Sequence, residues 1–538
     1  MSSSGIIEVD VIIPVHNAAH TVRETVLSAL NQEIPTHSSS PSQLLQEFLE
    51  KYSISITVCC YNDGSNDESL DILRQIEASR SKHAGREVTN GTIPSRLIVG
   101  SSKDEKGLGA GYARNRAIEM NNPSQRDVDN KHSDHCKKRS CQKFLCFLDS
   151  DDVMHKHRVI EQTLYMISIV DDKTRDQTIL GCTFDRDPPD STWHYCQWAN
   201  NLSDERLMLE RYRELTILQP TWFMPLSVWS KVGGYIEAPS LESSQTVLEV
   251  KDQVESLSSP QITCLVHPKY DTLSSLRLAE DLRFFHAHLQ SGGELRLHRT
   301  ALATTIDTTP YPLVTYRHAE NEESQSFRTS RKLLLQLRTL AFQNGTIRGN
   351  PLWNKFVVWG CGRDGKDFFK ALDRDIQERV YCFVDVDLKK LNAGYYVDTT
   401  AHRAESKEIK GKQQKKSGRK IPIVHYSFLI PDQKKRELSQ SEWISTIADG
   451  DSLVIGRIDK SKSGSVSVPT KLLPAKKKHK THSGTSSSTG LNYRGLDQTV
   501  LSHLPVVVCV AMYRTNGVLE SNVAKICRTE GKNLWHFS

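Results

Sequence analysis

Nothing in the chain approaches the ~18 uninterrupted apolar residues that a membrane-spanning helix needs, so no membrane span is expected in its 538 residues. The opening residues, Met1 to Gly5, carry neither a basic nor an apolar stretch and run straight into the strand-like segment Ile6–Ile13. No secretory leader is therefore expected. The twelve cysteines include no Cys-x-x-Cys pair and no zinc-ligand spacing. Cys59, Cys60, Cys146, Cys361, Cys382 and Cys509 lie in apolar, strand-like runs, which suits reduced, buried thiols and a cytoplasmic location. No internal repeat is present.

The formal net charge of +6 is unevenly spread. Residues 401–420 hold eight Lys/Arg against two Glu, and residues 456–494 hold nine against one Asp. The rest of the chain is net acidic. Basicity thus belongs to low-complexity insertions, the second rich in Ser, Lys, Gly and Thr and expected to be disordered. Alone it points only weakly to a nucleic-acid partner.

What is present is an alternation of apolar runs with helical spacing. Runs at 9–15, 54–61, 96–100 and 143–148 read as strands, and the segments from Thr21, Asp67 and Tyr112 read as the helices between them. That order implies right-handed βαβ units and a mostly parallel sheet. Polar stretches at 35–50, 80–94, 121–141 and 241–262 are expected to be surface loops. A smaller C-terminal α/β module is expected over 353–538, after a first domain over 6–335.

The apolar run Phe144–Leu148 leads into Asp149-Ser150-Asp151-Asp152. Side chains two apart on a strand share a side, so Asp149 and Asp151 converge where the chain leaves the sheet. Hard oxygens there suit Mg²⁺ or Mn²⁺ on a nucleotide's phosphates, and ligands of open α/β sheets gather at that edge. Alone, the same pattern is equally what a solvated acidic turn looks like.

Three more segments accompany it in order: Val11-Ile12-Ile13-Pro14-Val15-His16-Asn17, Asn62-Asp63-Gly64-Ser65-Asn66-Asp67 and Gly109-Ala110-Gly111-Tyr112-Ala113-Arg114-Asn115. Together the four resemble the family-2 nucleotide-sugar glycosyltransferases, which implies the GT-A fold, a UDP-sugar donor and Mn²⁺ or Mg²⁺. The resemblance implies that Pro14 and Asn17 line the donor pocket, that Asp63 reads the uracil and that Arg114 lies beside the nucleotide. It assigns Asp149 to ribose or metal and Asp151 to the metal. Leu278-Ala279-Glu280-Asp281-Leu282 resembles the family's Glu-Asp motif, which makes Asp281 the base of an inverting transfer and places Glu280 near the acceptor. Tyr316-Arg317-His318, with Ser324 and Ser326, resembles its loop at the diphosphate, although His318 follows Arg317 directly.

A closer resemblance runs through Cys182, Arg186-Asp187-Pro188-Pro189-Asp190, Gln219-Pro220-Thr221-Trp222-Phe223 and Leu534-Trp535-His536-Phe537-Ser538. It is to a branch of the family associated with galactosylation of queuosine in tRNA, whose older description is N-acetylglucosamine transfer to a β-galactoside. A cytoplasmic location favours tRNA as acceptor, because extended β-galactosides lie in the secretory lumen. In that reading Trp222 stacks on an unpaired base near Asp281. No membrane or protein partner is expected.

A reading from another class comes from Gly360-Cys361-Gly362-Arg363-Asp364-Gly365, placed between a strand and a helix, with Asp385 twenty residues on. This is the dinucleotide fingerprint, and it leaves open a non-catalytic nucleotide- or RNA-binding protein.

Overall fold

Strand β1 (Gly5–Val15) is apolar on both faces, with Ile7, Val9, Val11, Ile12 and Ile13 fully buried, as befits a central strand of a parallel sheet. The computed structural model describes residues 5–35, 42–81, 91–102, 107–122, 141–237, 245–252, 254, 259–303, 311–318, 329–398, 418–437, 447–449, 452–454, 496–511, 515 and 517–537. The chain divides into two compact units, Met1–Ala341 and Phe342–Ser538.

In the first unit β1 is followed by α1 (Val22–Leu30), α2 (Gln43–Lys51), β2 (Tyr52–Asn62), α3 (Ser69–Ser81), β3 (Ser95–Ser101), α4 (Ala110–Asn121) and β4 (Cys141–Phe147). Then come β5 (Val153–Met154), α5 (Arg158–Ser168), β6 (Thr178–Cys182), β7 (Phe184–Asp187), β8 (Phe223–Pro225), β9 (Glu294–His298) and β10 (Val314–Arg317). The main sheet has the order β3-β2-β1-β4-β8-β6-β9. Strands β1 to β4 are all parallel, so their C-terminal ends share one edge; β8 runs antiparallel to both β4 and β6. A small sheet, β5-β10-β7, stands beside it. Asp10, in the middle of β1, is fully buried yet paired: Asn121 and Asn122 each donate to it at 2.8 Å and Lys143 lies at 3.2 Å.

The second unit holds β11 (Phe356–Trp359), β12 (Val380–Asp385), β13 (Tyr395–Asp398), β14 (Arg419–His425), the pair β15 (Ile447–Asp449) and β16 (Ser452–Val454), then β17 (Val506–Val508) and β18 (Leu534–His536). Six of them form one sheet in the order β13-β14-β12-β11-β17-β18, parallel except for β13.

Two loop expectations are corrected. Gln43–Lys51 is a helix, because Ser42 caps it through Leu45 N and Leu45 and Phe48 reach the core. The 241–262 stretch contains a 3₁₀ turn at Val247–Val250, closed by a Thr246/Glu249 capping box, and the short helix Pro260–Thr263. Arg419 and Lys420, counted with the basic insertion, begin β14. The other residues expected to be disordered, 401–417 and 456–494, lie outside the described residues, apart from Gly418.

Candidate active site

The loops leaving β1 and β2 are sewn together at the shared edge. His16 donates through Nδ1 to the Asp63 carbonyl at 2.7 Å. Asn17, at φ 50°, takes a 2.8 Å bond from Asn66 N and donates its own N–H to Ser65. Ala18 N and Ala19 N donate to Ser69 and Asp67. Asn17 and His16 are exposed, whereas Pro14 is buried in β1 opposite Tyr61.

Asp63 is 2 % exposed, and its two oxygens accept from Leu108 N at 3.0 Å and Gly109 N at 2.7 Å. Its visible task is to hold the turn that starts α4, where Gly109 has φ 106°. Burial raises its pKa despite those two bonds. The sequence expectation of a direct base reader did not foresee this occupied carboxylate.

The turn after β4 is fixed from α1, since Thr21 and Thr25 both donate to the Ser150 carbonyl at 2.9 Å. Asp152 is fully buried; one oxygen accepts from Arg317 N at 2.9 Å and the other has no hydrogen-bond partner among the described residues. Burial, then the charges of Asp151 and Asp149, push it well above the carboxylate range. Asp151 is pushed up to about 6 by burial and then by Asp149.

Asp149 and Asp151 therefore fit a hard divalent cation, which would relieve both the crowding of negative charge and the burial cost. Among the described residues no three acidic, His or Cys groups form a ready-made cage. Mg²⁺ and Mn²⁺ suit such a site, since one or two carboxylates with phosphates and water complete their shell.

Arg114, 3 % exposed on α4, gathers the rest. Its guanidinium donates to Asp149 at 2.6 Å and to Glu280 at 2.7 Å, with the Tyr235 ring 5.8 Å away. Burial favours the neutral form, but Asp149 and Glu280 outweigh it and keep Arg114 charged. Gly111 lets α4 approach closely, for a Cβ there would lie 3.1 Å from Tyr235 Cβ and 3.3 Å from Glu280 Cβ.

Glu280 and Asp281 open the helix Glu280–Gln290, entered through Ala279 at φ 53°. Asp281 is half-buried; Oδ1 accepts from Leu282 N at 2.6 Å and Oδ2 has no hydrogen bond among the described residues. Burial, then the Glu280 charge, raise its pKa well above the usual carboxylate value. That makes it a carboxylate suited to accept a proton near neutral pH.

Arg317 is brought to the same turn but is engaged, with Glu24 at 2.7 Å, Asp187 at 3.4 Å and the Asp151 carbonyl at 3.4 Å. His318 N donates to the Asp187 carbonyl. Ser324 and Ser326 lie outside the described residues. Trp222 is a correction: it is fully buried, donates Nε1 to the Ile217 carbonyl at 3.1 Å and packs on Phe147 and Phe284. It is core, with no face for a base to stack on.

Sequence reasoning missed Thr21, Thr25, Glu24, Asp187 and Tyr235. Thr21 was named only as the start of a helix and Asp187 only within a quoted segment, and none of the five carried a signal tying it to this turn.

Residues 10–122 match the family described as Glycosyl transferase family 2. Among solved structures, S. aureus TarS is 14% identical with a TM-score of 0.34, over 71% of this chain and 52% of TarS, so the chain spans about half the length of that relative. S. aureus TarS 1-349 in complex with UDP is 15% identical with a TM-score of 0.34, over 70% of this chain and 83% of the other. The mannosyltransferase PcManGT from Pyrobaculum calidifontis, in complex with GDP-Man and Mn²⁺, is 11% identical with a TM-score of 0.31, over 62% and 63%. The large, mostly parallel sheet of a mixed α/β unit is consistent with the GT-A glycosyltransferase fold. No helix among the described residues is long and apolar enough to cross a membrane.

Proposed function

We propose, from the premise of a family 2 glycosyltransferase domain over residues 10–122, that the first unit moves a hexose from a UDP-sugar to an acceptor hydroxyl with inversion. One observation carries the reading. The Arg114 guanidinium bonds Asp149 of the post-β4 turn and Glu280 beside Asp281 at once, which ties the turn that carries Asp151 to the start of the helix that carries Asp281.

In this reading the nucleotide lies across the ends of β1, β2 and β4, beside Pro14, Asn17, Asp63 and Asp149. Asp151 and Asp149 would hold Mn²⁺ or Mg²⁺, which neutralises charge on the leaving diphosphate. Arg317 and His318 flank the diphosphate side. The acceptor oxygen attacks the anomeric carbon from the face opposite UDP, its proton passes to Asp281, and the bond to UDP breaks with the electron pair leaving on the diphosphate. Arg114 fixes Asp149 and Glu280 so that the two halves of the site keep their spacing.

The substrate pair is taken from the sequence resemblance: galactose from UDP-galactose, and queuosine in tRNA. Incubation with queuosine-containing tRNA and labelled UDP-galactose or UDP-N-acetylglucosamine tests it. Label from UDP-galactose in tRNA is the expected result. Efficient transfer of N-acetylglucosamine to a small β-galactoside, with tRNA ignored, would replace it by the older description.

A further inference from the structure

In the second unit β11 lies in the middle of its sheet. The chain steps outward from it to β12 and β14 on one side, then returns to β17 and β18 on the other. The crevice at the C-terminal ends of β11 and β17 is thus a topological switch point, where parallel α/β sheets bind ligands. A cleft of about 680 Å³ opens there, lined among others by Trp359, Gly362, Lys390, Val510 and Leu519. That volume suits a small-molecule ligand.

The three glycines of Gly360-Cys361-Gly362-Arg363-Asp364-Gly365 differ in what requires them. Gly360 has φ 108°, and a Cβ there would come within 2.7 Å of Val510. At Gly365 a Cβ would lie 1.8 Å from the Gly360 carbonyl oxygen. The fold itself demands both. Gly362 is different: its φ is −84°, and the nearest atom a Cβ would meet is Lys390 Nζ at 4.0 Å. No neighbour among the described residues calls for a missing side chain at this point of the cleft wall.

Gly362 directly precedes the helix Arg363–Ala371, whose first N–H groups lack acceptors within the helix. Lys390 Nζ lies beside it, paired with Asp385 at 2.8 Å and Asp387 at 3.7 Å. Asp385, at the end of β12, is fully engaged: it accepts from Cys361 N at 2.7 Å, Lys390 Nζ at 2.8 Å, Val386 N at 2.9 Å and Asp387 N at 3.0 Å. It holds the glycine turn and Lys390 in place and has no oxygen left for a ribose.

We propose that this cleft binds a nucleoside diphosphate, with its phosphates over Gly362 beside Lys390 and its base against the apolar wall of Val510 and Leu519. The site is separate from the transferase pocket, and its ligand is read by phosphate and shape. The diphosphate can come from a mononucleotide or from a dinucleotide.

Titration calorimetry on the full chain with ADP and with NAD⁺ tests this. Saturable binding of ADP alone identifies a mononucleotide source, and binding of NAD⁺ at least as tight as ADP a dinucleotide one; either supports the proposal. Gly362→Val should weaken that binding about tenfold or more while the thermal unfolding curve stays where it was. Gly362→Ala, whose added carbon meets nothing closer than Lys390 Nζ, gives the same comparison should valine disturb the turn. Lys390→Gln should weaken binding and flatten its salt dependence. The proposal is overturned if neither ligand binds the wild-type chain at about 1 mM, or if the folded Gly362 variants bind as the wild type does.

Discussion

Arg283 and Asp271 form a buried ion pair at 2.7 Å, with side chains 1% and 2% exposed, and this pair anchors the helix that begins with Glu280 and Asp281. Arg283 also donates to the Leu265 carbonyl at 2.7 Å. Burial alone would raise the Asp271 pKa, but the Arg283 charge and the bonds from Arg283, His267 N and Ser275 hold it below the ordinary value. A depressed carboxylate contributes stability that is complete above its unfolded pKa of about 4 and is lost as pH falls toward the folded value. Asp271→Asn should cost about 3 kcal/mol at pH 7. Urea midpoints of variant and wild type should converge as pH falls below about 4, and a gap that widens with acid refutes the assignment.

Asp151→Asn and Asp281→Asn should fail in different ways. If the proposed metal pair is right, the first removes a charged oxygen from it, so transfer should fall ~100-fold and donor binding should cease to respond to Mn²⁺. The second removes only the proton acceptor, so donor affinity should hold while kcat drops ~10²–10⁴-fold. Donor titrations with and without Mn²⁺ separate the two. Parallel loss of donor binding in Asp281→Asn would make it a donor ligand or a structural residue.

The pH profile should carry a mark of Asp281. In the proposed mechanism its deprotonated form is the active one, and its pKa is raised by burial first and by Glu280 second. The acid limb of kcat/KM should therefore stand above the ordinary carboxylate range, with activity rising as pH rises through it. Glu280→Gln removes the second cause and leaves the first, so the limb should move to lower pH without reaching the ordinary value. An unmoved limb in that variant excludes Asp281 as the titrating group.

Trp222→Ala should act on stability. Its ring has no exposed surface and meets Phe147 and Phe284, so truncation should cost about 3–5 kcal/mol. Slow UDP-sugar hydrolysis and transfer to tRNA should then decline together, each following the folded fraction. Selective loss of tRNA transfer by a fully folded variant would return the residue to the acceptor side.

The strands of the first unit were legible because β1, β2 and β4 are continuous apolar runs bounded by turn residues, a pattern that demands burial on both faces. The acidic turn was legible as the polar exit of an apolar run, but strand alternation does not place Asp149 and Asp151, because β4 ends at Phe147 and both lie in the turn that Asp152 N closes on the Asp149 carbonyl. The Arg114 bridge was not, because its partners stand 35 and 166 residues away in sequence and only the folded chain brings them to it. Trp222 was misread because an aromatic beside a motif looks the same whether it faces the core or a ligand. The helix Gln43–Lys51 escaped because it buries only Leu45 and Phe48, too few apolar positions to stand out in a polar stretch. Its Ser42 cap was the signal that could have revealed it.

The shared C-terminal edge of β1 to β4 also sets where the chain can be lengthened without moving the site. The connections that leave that edge, residues 16–21, 63–68 and 102–109, are short in sequence. Those that return to the opposite edge include 82–94 and 122–140, and they are longer. Lengthening the chain on the return side leaves the spacing of Asn17, Asp63, Arg114 and Asp149 untouched, whereas one extra residue on the outgoing side shifts a member of the site. A tag inserted on the return side should therefore leave the site's geometry in place, whereas the same insertion on the outgoing side should move one of its members.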